Sequence, residues 1–446
     1  MRKAKVFLCL FLVIILLAAC GSSETENTSV TEAPKETTEE ATETGETATP
    51  EPTATPEPTA TPTPELTEEE IWYNSMISDS LVSTGNTYRM KNVIEKARNG
   101  EDVYIAAIGG SITEGEGANP NTECYAYQTY LAFSELFGTG ENVHFINAGI
   151  SGTPSTLGVI RYERDCVEKN DGHEPDLVIV EFAVNDGDDP TNGKTYEGLV
   201  RHILMQDNDP AVVLLFSVFK SQWNLQDRCS YVGAFYGLPM VSIKDAVVSR
   251  LNDGSLTNEE FFNDEYHPTN YGHKLMADCM KNLFVAIDET EKSAEDIKLT
   301  DASWFSSIYE NVKMIDNTDT TLVTSVGSFE KTDNGLGTIR YDNTKTFPLN
   351  WMRLSSSESN EPFVLKLTCK ALLMTYKSSS SCGKVDIYVD GELVKTVNGS
   401  SGGAWNNPYT VSVIESEESA EHTVEIKMAE GEEGKSFTIC AFGYAE

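Results

Sequence analysis

The sequence predicts an α/β domain over residues 71–296, a parallel sheet with helices on both faces, followed by an antiparallel β-sandwich over 297–446. Apolar runs without alternation stand at 103–108, 143–146, 177–182, 211–216 and 240–243. Runs of this kind are strands buried on both faces, and the chain between them is long enough for crossover helices. Past residue 297 the pattern changes to alternation, at 338–341, 363–368, 385–389, 393–397, 409–413, 422–427 and 437–441. Short alternating stretches between polar turns argue for antiparallel strands with one dry face. Asp390-Gly391, between two of them, is a tight-hairpin dipeptide.

The elements follow in chain order. Arg2, Lys3 and Lys5 precede an apolar run over 6–19, too short for a hydrocarbon core that needs about 20 residues, so residues 1–20 read as a signal peptide. It closes on Leu17-Ala18-Ala19-Cys20, which resembles the bacterial lipobox. That resemblance implies cleavage before Cys20, lipidation of the cysteine and anchoring at the extracellular face of the bacterial cell membrane. Residues 21–70 are almost free of large apolar side chains and rich in Glu, Thr, Pro and Ala, a composition that cannot bury a core. They read as a disordered tether, which in polyproline II form at about 3.1 Å per residue reaches at most about 150 Å. Helices are expected at 66–80 and 87–98, and a last one is marked by Leu275, Met276, Cys279, Met280, Leu283, Phe284 and Ile287 at helical spacing.

Charge removes one class of partner. The chain has 33 basic and 70 acidic residues, a net charge of −37. Residues 21–70 hold a surplus of 13 carboxylates and the signal three cations, so the remainder still carries −27. Such a surface repels phosphate backbones and excludes nucleic acid as partner. Seven cysteines follow Cys20, an odd number that cannot all pair; they read as buried small hydrophobes, with Cys369 and Cys382 the one pair close enough for a hairpin bridge. No Cys-x-x-Cys or His-x-x-x-His spacing supports a zinc site.

In an open parallel sheet, ligands sit beyond the carboxyl ends of the strands. Ser111 follows the first expected strand, Gly152 the second, Asn185-Asp186 the third and Asp264-x-x-His267 the last. A serine hydroxyl is a weak nucleophile until a base takes its proton, and that base needs a carboxylate to fix its tautomer. Asp264 and His267, three apart in a turn, supply both, with Pro268 directing the histidine and opening the last helix. The N–H groups of Ser111 and Gly152 and the Asn185 amide are candidate donors to an oxyanion. A neutral imidazole base predicts activity that rises as pH passes roughly 6 to 7.

Gly109-Gly110-Ser111-Ile112-Thr113, Gly152, Asn185-Asp186 and Asp264-x-x-His267-Pro268 resemble the four blocks of the SGNH/GDSL hydrolase superfamily, over about residues 87–290. The resemblance implies a flavodoxin-like sheet, Ser111, Asp264 and His267 as catalytic residues, an oxyanion hole of Ser111, Gly152 and Asn185, and no metal or organic cofactor. Gly110 stands where the family's motif has Asp, and Ala183 replaces a usual glycine. The 297–446 region resembles jelly-roll modules joined to acetyl esterases of polysaccharides. Two readings of it stand: glycan binding, with Trp351 and Trp405 as stacking surfaces, or a structural module beside the site. Tyr125, Tyr127 and Trp223 read either as cleft platforms or as packing, and Glu181 as a carboxyl hydrogen-bonded near the site or a purely structural one. His144, His173, His202, His273 and His422 read as structural or exposed.

The combined expectation is a surface-anchored serine esterase that removes O-acetyl groups from carbohydrate through an acyl-enzyme. The alternatives are a lipase or thioesterase of the same superfamily acting on longer acyl esters, and a glycan-binding surface protein whose hydrolase domain no longer turns over.

Overall fold

The computed structural model describes residues 65–446 other than Gly402. The expected signal peptide, Cys20 and the tether up to Pro64 lie outside the described residues. The helix Glu68–Asp79 begins inside the stretch read as tether. Thr67 accepts from the Glu70 N–H while the Glu70 side chain returns to the Thr67 N–H, and Glu68, Glu69 and Glu70 lie at the positive end of the helix. This is the helix expected at 66–80, and Glu68 to Glu70 are its start signal.

The first sheet holds Leu81–Ser83 (β1), Val103–Gly109 (β2), Val143–Gly149 (β3), Leu177–Glu181 (β4), Ala211–Phe216 (β5) and Met240–Ser242 (β6), in the order β1-β6-β5-β4-β2-β3. β2 to β6 are parallel, and taken alone their order is the flavodoxin-like 2-1-3-4-5. β1 is a short antiparallel edge on β6, too brief to read from sequence. Every residue of β4, β5 and β6 is buried, as continuous apolar strands require. The order reverses between β2 and β4, whose register sets Gly109 beside both Gly149 and Glu181. The nucleophile turn and the Asn185 turn therefore leave the sheet at its switch point. The last helix, Asn270–Glu289, buries all seven residues expected of it. It starts from a Thr269 cap, so Pro268 precedes the cap and bridges back to Phe262 instead of opening the helix.

The second sheet is antiparallel throughout: Lys313–Ile315 (β7), Val323–Ser325 (β8), Trp351–Arg353 (β9), Phe363–Ser379 (β10), Lys384–Val389 (β11), Glu392–Asn398 (β12), Trp405–Met428 (β13) and Phe437–Ala445 (β14). The stretches expected at 409–413 and 422–427 are one strand, β13, and its two halves pair with the two halves of β10. Asp390 and Gly391 both have positive φ, the geometry of the hairpin between β11 and β12. The stretch at 338–341 is no strand; Thr338 and Lys345 form an isolated bridge at the neck of a small loop.

β10 explains how the sandwich meets the first domain. Phe363, Leu365, Leu367 and Cys369 face the sandwich core, with more exposed residues between them. The register shifts between Cys369 and Ala371, and the phase reverses: Leu372, Met374 and Tyr376 now face the sandwich core. Ala371 and Leu373 instead join Ile160, Leu199 and Tyr309 in the core that covers one face of the parallel sheet. Residues 65–446 accordingly form one compact unit. All seven described cysteines are free and buried, so the Cys369–Cys382 bridge is not formed. Trp351 packs on Phe363 and Phe442 inside the sandwich, which removes it as a stacking surface.

Candidate active site

The site begins where β2 ends. Gly110 caps the short helix Ser111–Glu114, with the Glu114 N–H returning to the Gly110 carbonyl at 3.0 Å and setting Ser111 at the first turn. A side chain at 110 would collide with the Asn185 amide, so the glycine lets Asn185, from the turn after β4, lie directly beside the nucleophile turn. Asn147 supports the same helix, donating to the Thr113 carbonyl at 2.9 Å.

His267 comes from the loop before the last helix. Its Nε2 lies 2.9 Å from Ser111 Oγ, and its Nδ1 lies 2.8 Å and 3.1 Å from the two Asp264 oxygens. The same carboxylate accepts the N–H groups of Tyr266 at 2.7 Å and His267 at 2.8 Å. Partial burial would raise the Asp264 value, but the hydrogen bonds from the imidazole and the two N–H groups prevail and hold it below the usual aspartate range. A carboxylate on Nδ1 leaves Nε2 as acceptor toward the hydroxyl, the polarity a general base needs.

Gly152, in the loop after β3, has φ +70°. A Cβ there would stand 2.9 Å from the Trp405 ring, so this backbone is open to glycine both by conformation and by close approach of the indole. The loop is tied to the Asn185 turn through Asp186, whose carboxyl accepts the Ser155 N–H at 2.7 Å and hydroxyl at 2.9 Å. Burial and the nearby Asp189 push Asp186 up to about 8. The three expected oxyanion groups, Ser111, Gly152 and Asn185, line one cleft of about 720 Å³ together with His267. Its walls are aromatic: Phe219, Trp223 and Tyr266 from the first domain, Trp405 and Tyr409 from β13.

The other residues singled out from sequence divide. Trp223 lies in the cleft, whereas Tyr125 is fully buried and Tyr127 packs on Tyr130 and Phe145. Glu181 is buried under the nucleophile helix, 3.1 Å from Thr113 Oγ1, and burial pushes it up to about 7. His273 accepts from the Tyr125 N–H and contacts the Glu116 carbonyl through its other nitrogen; burial drops it to about 4, so it is a neutral strut. His144, His202 and His422 each meet a carboxylate distant in sequence, Asp102, Glu163 and Asp390.

Sequence reasoning missed Glu114, Phe219, Tyr266, Tyr409 and Arg340. Glu114, between Thr113 and Gly115 with Glu116 close behind, carried no signal but its position in the turn after Ser111. Arg340 carried none, because its place depends on how the sandwich docks.

Among the described residues, no group of three or more His, Cys, Asp or Glu is placed to hold a metal ion. Residues 107–275 match the model of the GDSL-like lipase/acylhydrolase family. No curated protein matches the chain. Among solved structures, a two-domain esterase (CEX) active on acetylated mannans is 27% identical with a TM-score of 0.72, the match covering 83% of this chain and 99% of that one. The same esterase description recurs for a structure co-crystallised with mannopentaose, at 27% identity and TM-score 0.70, covering 83% and 98%. Strand order, the blocks at the strand ends and the family match agree: the parallel-sheet domain belongs to the SGNH/GDSL superfamily, and this chain is an esterase of that group.

Proposed function

We propose that the chain removes acetyl groups from carbohydrate, with Ser111 as nucleophile, His267 as general base and Asp264 as its orienting partner. Ser111 Oγ attacks the acyl carbon as His267 Nε2 takes its proton. The oxyanion is met by the N–H groups of Ser111 and Gly152 and the Asn185 amide. The proton then passes to the departing sugar oxygen, the acyl group stays on Ser111, and water repeats the sequence to free acetate and the serine.

The observation that carries this reading is the line from Asp264 through His267 to Ser111, at 2.8 Å and 2.9 Å, opening into the aromatic cleft. Sugars offer an apolar C–H face and a polar rim, which suits indole and phenol walls set among Asn185, Asp188 and Glu116. The likeness to an esterase described as active on acetylated mannans supports a polysaccharide, with mannan the first to try. Delivery by the Cys20 anchor and the tether would set the enzyme on polymers outside the cell.

The test is acetate release from acetylated mannan, xylan and wall polymers, with p-nitrophenyl acetate and octanoate alongside. Acetate release from at least one polymer and preference for the acetyl ester are expected. Preference for octanoate would favour a longer-chain esterase, and unchanged glycan binding with no turnover a binding protein. Release of the protein from membranes by Cys20→Ala tests the anchor.

A further inference from the structure

Glu114 occupies the last position of the nucleophile helix and is buried, yet it is absent from the reaction sequence above. Its Oε2 accepts the Ser151 N–H at 2.6 Å and the Ser151 hydroxyl at 2.5 Å. Its Oε1 accepts the main-chain N–H of Arg340 at 2.6 Å. Ser151 immediately precedes Gly152, and Arg340 sits in the 338–345 loop of the second domain. The Arg340 side chain grips the same region again, donating to Glu116 at 2.9 Å and to the Ala118 carbonyl at 2.6 Å. Beside it, Tyr341 packs edge-on against Phe145 of β3. One carboxyl group therefore joins three elements: the helix bearing Ser111, the loop bearing Gly152 and a loop of the sandwich.

We infer that Glu114 is a positioning residue that sets the Gly152 N–H against Ser111, and that the sandwich holds Glu114 in place through Arg340. The inference rests on the reading of Gly152 as an oxyanion donor. A hole made of main-chain N–H groups works only if they are aimed before charge develops, and misplacement by a fraction of an ångström is felt in the chemical step, not in ground-state binding. Both Glu114 oxygens accept from N–H groups. A glutamine would set its NH2 against one of those donors, so it cannot hold both sides at once. The second domain thereby acts on turnover through Glu114, apart from any contact that its own Trp405 and Tyr409 make with the ester.

The test uses the full chain and p-nitrophenyl acetate. Glu114→Gln is expected to lower kcat roughly 10- to 100-fold, part of the cost of losing one oxyanion donor, with KM within about twofold. Arg340→Ala, which frees the loop but keeps the main-chain donor, should lower kcat by about three- to tenfold. The double variant should be no slower than Glu114→Gln alone, within about twofold, because both act along one path. Wild-type kcat in Glu114→Gln overturns the inference; multiplicative losses overturn the link to the sandwich. Should Glu114→Gln lose its cooperative melt, Ser151→Ala carries the test: a few-fold loss of kcat at constant KM supports the inference and no loss overturns it. Asn185→Ala separates the two levels. If it lowers kcat while Glu114→Gln does not, the oxyanion reading stands and the Glu114 inference falls. If neither lowers kcat, the oxyanion reading falls and takes the inference with it.

Discussion

The two sheets contribute to one cleft by opposite means. The parallel sheet delivers its groups at strand ends: Ser111, Gly152 and Asn185 each follow a strand by a few residues, so register fixes their spacing. The antiparallel sheet delivers Trp405 and Tyr409 from the start of a long strand, and a loop of the same domain sets Arg340 behind the cleft on Glu114, none of them near a sequence motif. Chemistry is thus set by local chain geometry, and the surroundings of the chemistry by docking of one core on another.

The sharpest break of this comparison is Ser111→Ala. It should abolish turnover, a loss on the order of 10⁴-fold or more, measured on any accepted ester, while the aromatic walls still retain oligosaccharide by titration calorimetry. Next is Leu373→Ala, which empties a fully buried site where β10 meets the helices of the first domain. A cost of about 2–5 kcal/mol is expected, lowering a single melting transition in calorimetry; two separate transitions would mean that the sheets fold apart. Leu365→Ala, on the same strand but facing only the sandwich core, is the matched control. Trp405→Ala should be milder, raising KM for an acetylated oligosaccharide about three- to tenfold, the scale of one aromatic contact, and weighing more on the oligosaccharide than on p-nitrophenyl acetate.

The remaining prediction concerns pH. Asp186 is raised to about 8 from an ordinary 3.8, chiefly by burial. Between those values the folded chain keeps a proton at Asp186 that the unfolded chain has released, so the contribution of this group to stability falls as pH rises from about 4 to about 8 and levels off above. Asp186→Asn keeps an acceptor for the Ser155 N–H without that titration. The melting temperature of the variant minus that of the wild type should therefore grow over this window; a constant difference would show Asp186 ionised throughout.

What could be read in the sequence follows the same division. Continuous apolar runs located β2 and β4 to β6, because burial on both faces leaves no alternation to confuse them with loops, and the short run at 143–146 located the half-buried edge strand β3. The order of Ser111, Gly152, Asn185 and His267 behind those runs was enough to place them on one edge. In the sandwich, alternation found most strands but divided β13 in two, since exposed Ser416, Glu417, Glu418 and Ser419 in its middle read as a turn. Trp351 and Trp405 were indistinguishable as letters; only packing puts one in a core and the other over Gly152. The helix expected at 66–80 formed as Glu68–Asp79, so Glu68 to Glu70 belong to it although they also lie in the stretch whose composition reads as tether.

The phase reversal in β10 bears on how far the cleft beside Ser111 can open. After Ala371 the strand is embedded on both sides, so the sandwich cannot swing outward like a hinged jaw without unpicking its own central ribbon. The cleft therefore has fixed flanks, with Trp405 and Tyr409 held where the pairing of β13 with β10 sets them.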